Sequence, residues 1–407
     1  MIGVIADDVT GATDVAAALS REGLRTLLTL NAETPVMGGA DAIVAGLKTR
    51  SIPVADAVAT SLAALRTLQD AGATRFYFKY CSTFDSTDEG NIGPVTEALA
   101  EALGVSTVVT SPAAPIHGRT VSDGDLYVFG VPLNETHMAH HPITPMRDSN
   151  LVSLLTPQVQ GAVTTLPLSA VHAGPAMARA TITAAESTGV THVIADAVDA
   201  ADLATIAEAV DTAVLTAGSA GLIGAIAGRQ LASGRTISAP PAGRTAILAG
   251  SCSRRTLEQI AAFQESGGPS HRVIAESGQT ASELAEAALT WWDEQPAESS
   301  ALIYSSSPAE ERNHELPEAG ELYEQVAGIV AHGLARRGVQ RMLVAGGETS
   351  GAVIRELGTT VAVVGDEAAV GAPWIHDESH GVHLVLKSGN FGDIDMFTSV
   401  ARDASHD

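Results

Sequence analysis

The sequence predicts an α/β protein with two mainly parallel-sheet βα domains joined by a Pro/Gly-rich linker. Three observations support this prediction. The 407 residues are enough for two or three domains, and short apolar runs alternate with alanine-rich helical segments. The composition also changes after residue 230, where Ala239-Pro240-Pro241-Ala242-Gly243 is typical of a linker. We therefore place the two domains at residues 1–236 and 244–407.

The elements follow from the same alternation, because apolar runs bounded by turn residues predict strands and the alanine-rich segments predict amphipathic helices. In the first domain the predicted strands are 1–6, 25–30, 42–47, 75–78, 107–110, 192–195 and 213–215, and the predicted helices include 12–22, 55–70 and 95–103. In the second domain the predicted strands are 245–249, 273–275, 301–304, 341–345, 361–364 and 383–386, with a helix at 352–357. The polar segment 120–170 is irregular, and its elements are not assigned.

The charge balance restricts the possible partners. With 23 Lys+Arg against 47 Asp+Glu the formal net charge is −24, which argues against a nucleic-acid partner and against an anionic membrane surface. No run of 18 apolar residues and no secretory signal is present, and Cys81 and Cys252 are too few for a disulfide framework. We expect a cytoplasmic protein that binds small molecules, with a homodimer as one possible assembly.

Polar residues follow the strands of the first domain, where parallel sheets collect their ligands. They are Asp7 and Asp8 after the first strand, Arg50 after the third, and Lys79, Asp85, Ser86 and Asn91 after the fourth. This mixture is suited to a small anion such as a carboxylate, with the aspartates available for general base chemistry. The simpler alternatives are that Asp8 or Thr10 only caps a helix and that the charges are unrelated surface groups.

Three glycine-containing loops follow strands of the second domain. They are Gly250-Ser251-Cys252-Ser253, Gly346-Gly347-Glu348-Thr349-Ser350-Gly351 and Lys387-Ser388-Gly389-Asn390. Glycine allows backbone N–H groups to approach phosphate oxygens, and a helix N-terminus adds a favourable dipole. One such loop is weak evidence because packing also produces it, but three in one domain predict a nucleotide site. Neither the Walker motif nor the dinucleotide-binding fingerprint occurs.

These motifs together resemble the four-carbon acid sugar kinase family, over nearly the whole chain. The resemblance rests on Ile5-Ala6-Asp7-Asp8-Val9-Thr10-Gly11-Ala12, on Lys79 with Asp85-Ser86-Thr87 and Gly90-Asn91-Ile92-Gly93, on Ser111-Pro112-Ala113-Ala114-Pro115, and on the three glycine loops. The loop after the fourth predicted strand, which begins at Lys79, differs from the Lys-Lys-x-Asp-Ser-Thr pattern of the erythronate and threonate kinases. This loop, together with Lys48-Thr49-Arg50-Ser51 and His140-His141-Pro142, is similar to the branch of the family that acts on 3-oxo-tetronate. Gly371-Ala372-Pro373-Trp374, where relatives carry Gly-Val-Pro-Trp, is a conservative departure.

The resemblance implies an N-terminal acid-sugar-binding domain and a C-terminal ATP-binding domain. The implied activity is ATP-dependent phosphorylation of the 4-hydroxyl of 3-oxo-tetronate, with Mg²⁺ as a further cofactor. D-threonate and D-erythronate are alternative substrates, and a non-catalytic acid-sugar sensor is a remote alternative. The acid is expected to contact Asp7, Arg50, Lys79, Ser86 and Asn91, with Asp8 or Asp85 as the catalytic base. The nucleotide is expected to contact Ser251, Ser253, Gly346, Gly347, Glu348, Thr349, Lys387, Ser388, Gly389 and Asn390. No metal ligands are assigned.

Overall fold

Two series of βα elements make up the computed structural model, which describes residues 1–32, 39–140, 144–230, 240–308, 311 and 319–402. The chain divides into two units, Met1–Arg235 and Thr236–Asp407. Most of the predicted linker, residues 231–239, lies outside the described residues. Among the residues described, no helix combines the length and the apolar character needed to cross a membrane.

The first unit contains parallel strands with helices between them. Its strands are β1 (Ile2–Ala6), β2 (Thr26–Thr29), β3 (Ala42–Gly46), β4 (Arg75–Lys79), β5 (Val108–Ser111), β6 (Arg119–Ser122), β7 (Asp125–Val128), β8 (Val131–Pro132), β9 (Ala162–Leu166), β10 (Val190–Ala195) and β11 (Leu215–Gly218). Its helices are α1 (Val9–Arg21), α2 (Val54–Asp70), α3 (Ile92–Leu103), α4 (Leu151–Leu155), α5 (Leu168–His172), α6 (Pro175–Ser187), α7 (Ala200–Ala209) and α8 (Ala220–Ala227).

The register of this sheet brings the ends of its central strands together. The parallel order is β2-β3-β1-β4-β11-β5-β10-β9, and β6, β7 and β8 form a separate antiparallel sheet. Ala6, the last residue of β1, pairs with Gly46 of β3 and with Lys79 of β4. Gly218 of β11 pairs with Lys79 and with Ser111 of β5. The polar residues that follow these strands therefore meet at one edge of the sheet.

The second unit combines parallel and antiparallel strands. Its strands are β12 (Thr245–Ala249), β13 (Ser270–Arg272), β14 (Ala301–Tyr304), β15 (Arg341–Ala345), β16 (Val361–Ala369), β17 (Ala372–Asp377) and β18 (Val382–Lys387). Its helices are α9 (Arg254–Glu265), α10 (Ala281–Asp293), α11 (Ala319–Arg336), α12 (Gly347–Leu357) and α13 (Met396–Arg402). The order β13-β14-β12-β15-β18 is parallel, whereas β18, β17 and β16 pair antiparallel. Phe263, Trp374 and Phe397 belong to the core cluster on one face of this sheet.

The predicted α/β class with mainly parallel sheets is confirmed, and several element predictions need correction. The strand expected at 273–275 is instead Ser270–Arg272, because these more polar residues form the ladder with β14. Val273 and Ala275 are apolar and buried, but they lie beyond the ladder. The strand expected at 213–215 is Leu215–Gly218. Strands β6, β7, β8 and β9, in or beside the unassigned segment, were not predicted, and neither was β17, where Pro373 weakens the sequence signal for a strand.

Candidate active site

Two adjacent carboxylates at the end of β1 share one guanidinium. Arg50, from the loop after β3, donates from Nε to Asp7 Oδ2 (2.8 Å) and from Nη2 to Asp7 Oδ1 (2.9 Å). Its Nη1 lies 2.9 Å from Asp8 Oδ2. Asp7 therefore occupies the bidentate edge of Arg50. The expected contact between Arg50 and a substrate carboxylate stays a prediction, and it would have to use the remaining N–H groups of the fork.

Asp8 also caps the helix that follows it. Its Oδ1 accepts a hydrogen bond from the Gly11 N–H (2.6 Å), and its Oδ2 accepts one from Thr10 Oγ1 (3.3 Å). A Cβ at position 11 would lie 2.4 Å from Asp8 Oδ1 and 2.9 Å from Lys79 Nζ. Glycine is thus required here because the carboxylate and the ammonium approach the helix backbone closely. The capping interpretation is correct for Asp8, and the same carboxylate also belongs to the charged cluster.

The two aspartates have different acid strengths. Burial raises the pKa of Asp7 above its usual range, and the charge of Arg50 offsets this only in part. Burial acts in the same direction on Asp8, but the charges of Arg50 and Lys79 outweigh it and hold the pKa of Asp8 below its usual range. Neighbouring carboxylates with diverging pKa values are typical of sites in which each has its own task. Asp8 is therefore an anion at neutral pH.

The remaining polar residues of this edge are largely buried. Lys79 is 3% exposed, and its Nζ donates to the backbone carbonyl of Tyr80 (2.8 Å). Asn91 Nδ2 donates to the carbonyls of Thr49 (2.6 Å) and Ile52 (2.9 Å), which fixes the loop that carries Arg50. The Oδ1 of Asn91 and the Oγ of Ser86 are shielded from solvent without a hydrogen-bond partner in the described part of the chain. Both atoms are thus available to a polar ligand.

Asp85 lies on a strained turn after β4. It accepts hydrogen bonds from Thr83 Oγ1 (2.6 Å) and Cys81 Sγ (3.2 Å). Phe84, directly before it, is buried with φ 53° and packs edge-on against Tyr80 at 5.3 Å between ring centroids. Left-handed backbone at a bulky residue persists only where packing enforces it, and it is common at functional sites. Burial and the charge of Asp85 raise the pKa of Cys81 to about 11, so this cysteine is a thiol rather than a nucleophile.

The structure adds three residues that were not predicted for this edge. His117 Nε2 lies 3.1 Å from Asp14 Oδ1, which projects from α1. Arg119 donates from Nη1 to the carbonyl oxygen of His117, and its charge interacts with Cys81, Asp14 and Asp85. His117 and Arg119 are the first ionisable residues after β5. Their position after β5 is the sequence signal that points to them, because ligands of parallel sheets collect at the carboxyl ends of the strands.

In the second unit the three glycine loops converge. Ala249 pairs with Ala345, and Ala345 pairs with Lys387, so β12, β15 and β18 end side by side. The N–H groups of Gly250 and Ser251 both donate to the Ala345 carbonyl (3.1 Å each), and the Gly346 N–H donates to the Lys387 carbonyl (3.0 Å). The loops are therefore held together by backbone hydrogen bonds at the strand ends.

Glycine is needed at these loops for close approach. A Cβ at Gly250 would lie 2.3 Å from Thr349 Oγ1, and a Cβ at Gly389 would lie 2.4 Å from Ser251 Oγ. Gly346 has φ 127°, which side-chain-bearing residues rarely adopt. Helix α12 begins directly after it, and among the described residues no side chain caps this end. Its first N–H groups and the helix dipole are suited to a phosphate.

Lys387 lies beneath the loops rather than among them. Its Nζ is buried and donates to Thr256 Oγ1 and to the Gly389 carbonyl (3.0 Å each), and Ser253 Oγ donates to the same carbonyl (2.6 Å). Burial and the nearby Arg255 lower the pKa of Lys387 to about 7. Ser253 is also the N-cap of α9. The other predicted nucleotide contacts lie at the loop surfaces: Gly347, Glu348 and Asn390 are exposed, and Ser251, Ser388 and Gly389 are half-buried.

A cleft lined mainly by apolar residues adjoins these loops and is partly open to solvent. Its lining includes Gly250, Val273, Tyr304, Tyr323, Val330 and Thr349. Tyr323 Oη accepts a hydrogen bond from the Ala275 N–H (3.0 Å), and Gln264 donates to Tyr304 Oη (3.1 Å). Neither tyrosine was predicted as a site residue, because Tyr304 ends strand β14, which is not followed by a glycine loop, and Tyr323 lies within helix α11.

Within the described part of the chain, no group of three or more His, Cys, Asp and Glu side chains is arranged to hold a metal ion. His141 and the side chain of His140, which entered the family resemblance, lie outside the described residues.

Comparison with known proteins covers the whole chain. Residues 2–226 match the model of a sugar-binding N-terminal domain, and residues 246–397 match that of a nucleotide-binding C-terminal domain. The chain is 42% identical over 421 residues to a 3-oxo-tetronate kinase of Cupriavidus necator, covering 99% of this chain and 96% of that protein. It is 39% identical over 414 residues to a 3-oxo-tetronate kinase of Salmonella typhimurium, covering 99% of each.

Solved structures agree with these matches. The crystal structure of a Salmonella typhimurium LT2 protein is similar with a TM-score of 0.91 and 39% identity, covering 99% of each chain. That of a Haemophilus influenzae protein of the DUF1537 family has a TM-score of 0.81 and 36% identity, covering 98% of each chain. Both domain models and the full-length relatives lead to one conclusion. The chain belongs to the four-carbon acid sugar kinase family, with its sugar-binding N-terminal and nucleotide-binding C-terminal domains.

Proposed function

We propose that this protein is an ATP-dependent kinase that transfers the γ-phosphoryl group to the 4-hydroxyl of 3-oxo-tetronate. The observation that carries the kinase assignment is the convergence of three glycine loops on the uncapped N-terminus of α12. The choice of acid is supported by relatives named 3-oxo-tetronate kinase, which are about 40% identical over their full lengths. The acid-sugar domain would comprise residues 1–236 and the ATP-binding domain residues 244–407.

In the first unit, the acid would bind over the charged edge of the sheet. Lys79 and the free N–H groups of Arg50 supply positive charge, and Asp7 keeps Arg50 in place. The Ser86 hydroxyl and the Asn91 carbonyl oxygen are buried polar atoms without partners among the described residues, so they are suited to the substrate hydroxyls. A polyhydroxy acid would satisfy both kinds of group at once.

Asp8 or Asp85 would act as the base. The 4-hydroxyl oxygen forms a bond to the γ-phosphorus, the bond from that phosphorus to the departing ADP oxygen breaks, and the hydroxyl proton passes to the carboxylate. Phosphoryl transfer depends mainly on position and charge, so a carboxylate with a low pKa such as Asp8 is adequate. Asp85 is the alternative because it is the carboxylate in the loop that follows β4, at the same edge of the sheet.

The nucleotide would occupy the second unit. The apolar cleft with Tyr304 and Tyr323 is suited to a purine ring, and it shares Gly250 and Thr349 with the glycine loops. The phosphates would lie on the first N–H groups of α12, with Ser251, Ser388 and Asn390 at the rim. Lys387 would support the phosphates from beneath by fixing the Gly389 loop.

Mg²⁺ fits this site as an ion that arrives with ATP. In nucleotide sites Mg²⁺ is usually held by one or two carboxylates together with the phosphates, so a cage of three protein ligands is not required. The exposed Glu348, in the first turn of α12, is the carboxylate that would hold it. The ion would neutralise charge that develops on the phosphates.

A panel of four-carbon acids tests the substrate. We expect ATP consumption with 3-oxo-tetronate at least about 100-fold more efficient, in kcat/KM, than with D-threonate or D-erythronate, because about 3 kcal/mol of differential contacts gives such a ratio. Phosphorus NMR of the product should show the new phosphoester on the terminal carbon. Equal turnover of the three acids would contradict the choice of substrate, and binding of acid and ATP without turnover would favour the sensor.

A further inference from the structure

Arg119 has a guanidinium that no carboxylate contacts within the described part of the chain. Its Nη1 donates to the carbonyl of His117, and its guanidinium lies 5.4 Å from the centroid of the Phe129 ring. Its Nε is shielded from solvent and has no hydrogen-bond partner among the residues described. A buried donor without an acceptor is unfavourable, so an acceptor supplied by a water, an ion or a ligand would stabilise this group.

Arg119 is the first residue of β6 in the separate antiparallel sheet, and it lies near the charged edge of the parallel sheet. Its charge interacts with the carboxylates of Asp14 and Asp85, and Cys81 is a further neighbour. Cys81 in turn interacts with Arg50 and Lys79. The Cys81 thiol therefore lies near three cations. Two of them, Arg50 and Lys79, accompany Asp7 and Asp8, and the third is Arg119.

The cations of this edge differ in how far they are neutralised. The charges of Arg50 and Lys79 are balanced by the two carboxylates of Asp7 and Asp8. Arg119 interacts with Asp85 only at longer range, because that carboxylate lies beyond ion-pair distance and accepts from Thr83 and Cys81. A planar guanidinium is the group best matched to a carboxylate. The least neutralised guanidinium of this edge is therefore that of Arg119.

The substrate has its carboxylate at the opposite end of the carbon chain from the 4-hydroxyl. A cation separate from Asp8 and its partners is needed to receive that end. We propose that Arg119 binds the carboxylate of the acid substrate and so selects acids over neutral sugars, an inference that rests on the proposed function. Arg50 then serves mainly to hold Asp7 and Asp8 in place.

Phe129, in the turn between β7 and β8, supports this assignment. Its φ is 51°, in the left-handed region that is strained for a bulky residue. The ring lies so close to Gly118 that a Cβ there would be 2.4 Å from Phe129 Cδ1. The guanidinium therefore lies over this ring, which is itself 76% exposed, and the cation–π contact holds the guanidinium in place without cancelling its charge.

The test compares the acid with its uncharged primary amide as phosphoryl acceptors. Arg119→Gln should raise the KM for 3-oxo-tetronate by about 10- to 100-fold, because one charge-assisted contact is lost, while kcat/KM for the amide changes less than about threefold. The acid-to-amide preference should therefore fall by at least about tenfold. Arg119→Lys keeps the charge without the planar fork and should recover part of the preference. Arg66→Gln, at an exposed arginine on α2, is the matched control and should leave both substrates unchanged.

The outcomes separate this inference from the proposed function. An equal loss for acid and amide in Arg119→Gln would show a structural role and overturn the inference, as would an unchanged preference. If the wild-type protein does not phosphorylate 3-oxo-tetronate, the proposed function is wrong. In that case calorimetry with D-threonate tests the role of Arg119 separately. The assignment is supported if the wild type binds D-threonate and Arg119→Gln does not. It is overturned if Arg119→Gln still binds D-threonate, or if the wild type does not bind it.

Discussion

The charged edge of the first unit is organised by single residues that each do more than one task. Asp8 caps α1 through Gly11, forms an ion pair with Arg50 and remains 28% exposed at its side chain. Asn91 ties down the loop of Arg50 while its own Oδ1 is left without a partner among the described residues. A substitution that tests the catalytic role of such a residue therefore has to preserve its capping or loop-anchoring hydrogen bonds.

Asp8→Asn meets that condition. Asparagine caps helices as well as aspartate does, so α1 should stay folded while the negative charge is lost. We expect kcat to fall about 10²- to 10⁴-fold if Asp8 is the base, with both ligands still bound. Since the charges of Arg50 and Lys79 hold the pKa of Asp8 below its usual range, the wild-type rate should decline only at a lower pH than protonation of an ordinary aspartate would cause. Asp85→Asn is the comparison: a larger loss there, with Asp8→Asn nearly active, would identify Asp85 as the base.

Lys387 gives a pH-dependent prediction. The folded state holds its pKa at about 7, mainly through burial, against about 10.4 in an unfolded chain. Between these values the unfolded state binds a proton that the folded state does not, so the free energy of unfolding should rise as pH increases from 7 to about 10. Lys387→Met should remove most of this rise. Urea titrations of both proteins at pH 7 and at pH 9.5 measure the free energy of unfolding. An equal rise between these two pH values in the wild type and in Lys387→Met would contradict the prediction.

At the scale of elements, the site is made by strand ends and the loops that follow them. The registers of β12, β15 and β18 place their last residues side by side, and the glycines then allow the loops to touch. Helix α12 contributes its N-terminus because Gly346 turns the chain into it with φ 127°. The proposed nucleotide site consequently depends on three strand ends and the loops that follow them.

Gly250→Ala tests this convergence. The added methyl group would lie 2.3 Å from Thr349 Oγ1, so the loop after β12 must move away from α12. We expect ATP affinity to fall at least about tenfold, with acid binding unchanged, because misplaced phosphate contacts lose roughly 1.4 kcal/mol or more. Gly320→Ala on α11, where a Cβ meets nothing within 4 Å, is the control and should bind ATP normally. Normal ATP affinity in Gly250→Ala would place the nucleotide elsewhere.

At the scale of the whole molecule, two units of different chemistry share one chain. The first gathers carboxylates, arginines and a buried lysine at its sheet edge, whereas the second has glycine loops and an apolar cleft. The net charge of −24 means that both anionic ligands approach a negative molecule. Local cations such as Lys79 therefore have to attract the acid against the overall charge.

This division predicts separable binding defects. Lys79→Met removes a buried positive charge from the first unit, so the acid should bind about 10- to 100-fold more weakly while ATP affinity stays within twofold. Gly250→Ala should show the reverse pattern, and the double variant should combine the two losses additively. Calorimetry with each ligand alone provides the measurement, after far-UV circular dichroism confirms folding. Loss of ATP binding in a folded Lys79→Met protein would refute the separation.

Local sequence pattern alone determined the fold class, most strands and the residues that stand at strand ends. Hydrophobic periodicity carries this information because each short apolar run is buried in its own strand, as Ile2–Ala6 and Arg341–Ala345 are. The polar motifs after β1, β3, β4, β12, β15 and β18 could be predicted for the same reason, because they directly follow such runs. The antiparallel pairing in the second unit and the strand at Ser270–Arg272 could not be predicted, because they depend on pairing with strands that are distant in the sequence.

Only the tertiary structure decided which groups are already in use and which remain for a ligand. Arg50 and Lys387 are cations in suitable motifs, yet the fold binds one to Asp7 and Asp8 and buries the other against Thr256. Arg119, in a segment without a clear pattern, has a shielded Nε that lacks a partner in the described part of the chain. The physical reason is that a charge is satisfied through space. Its partners come from residues tens of positions away, and no local pattern encodes them.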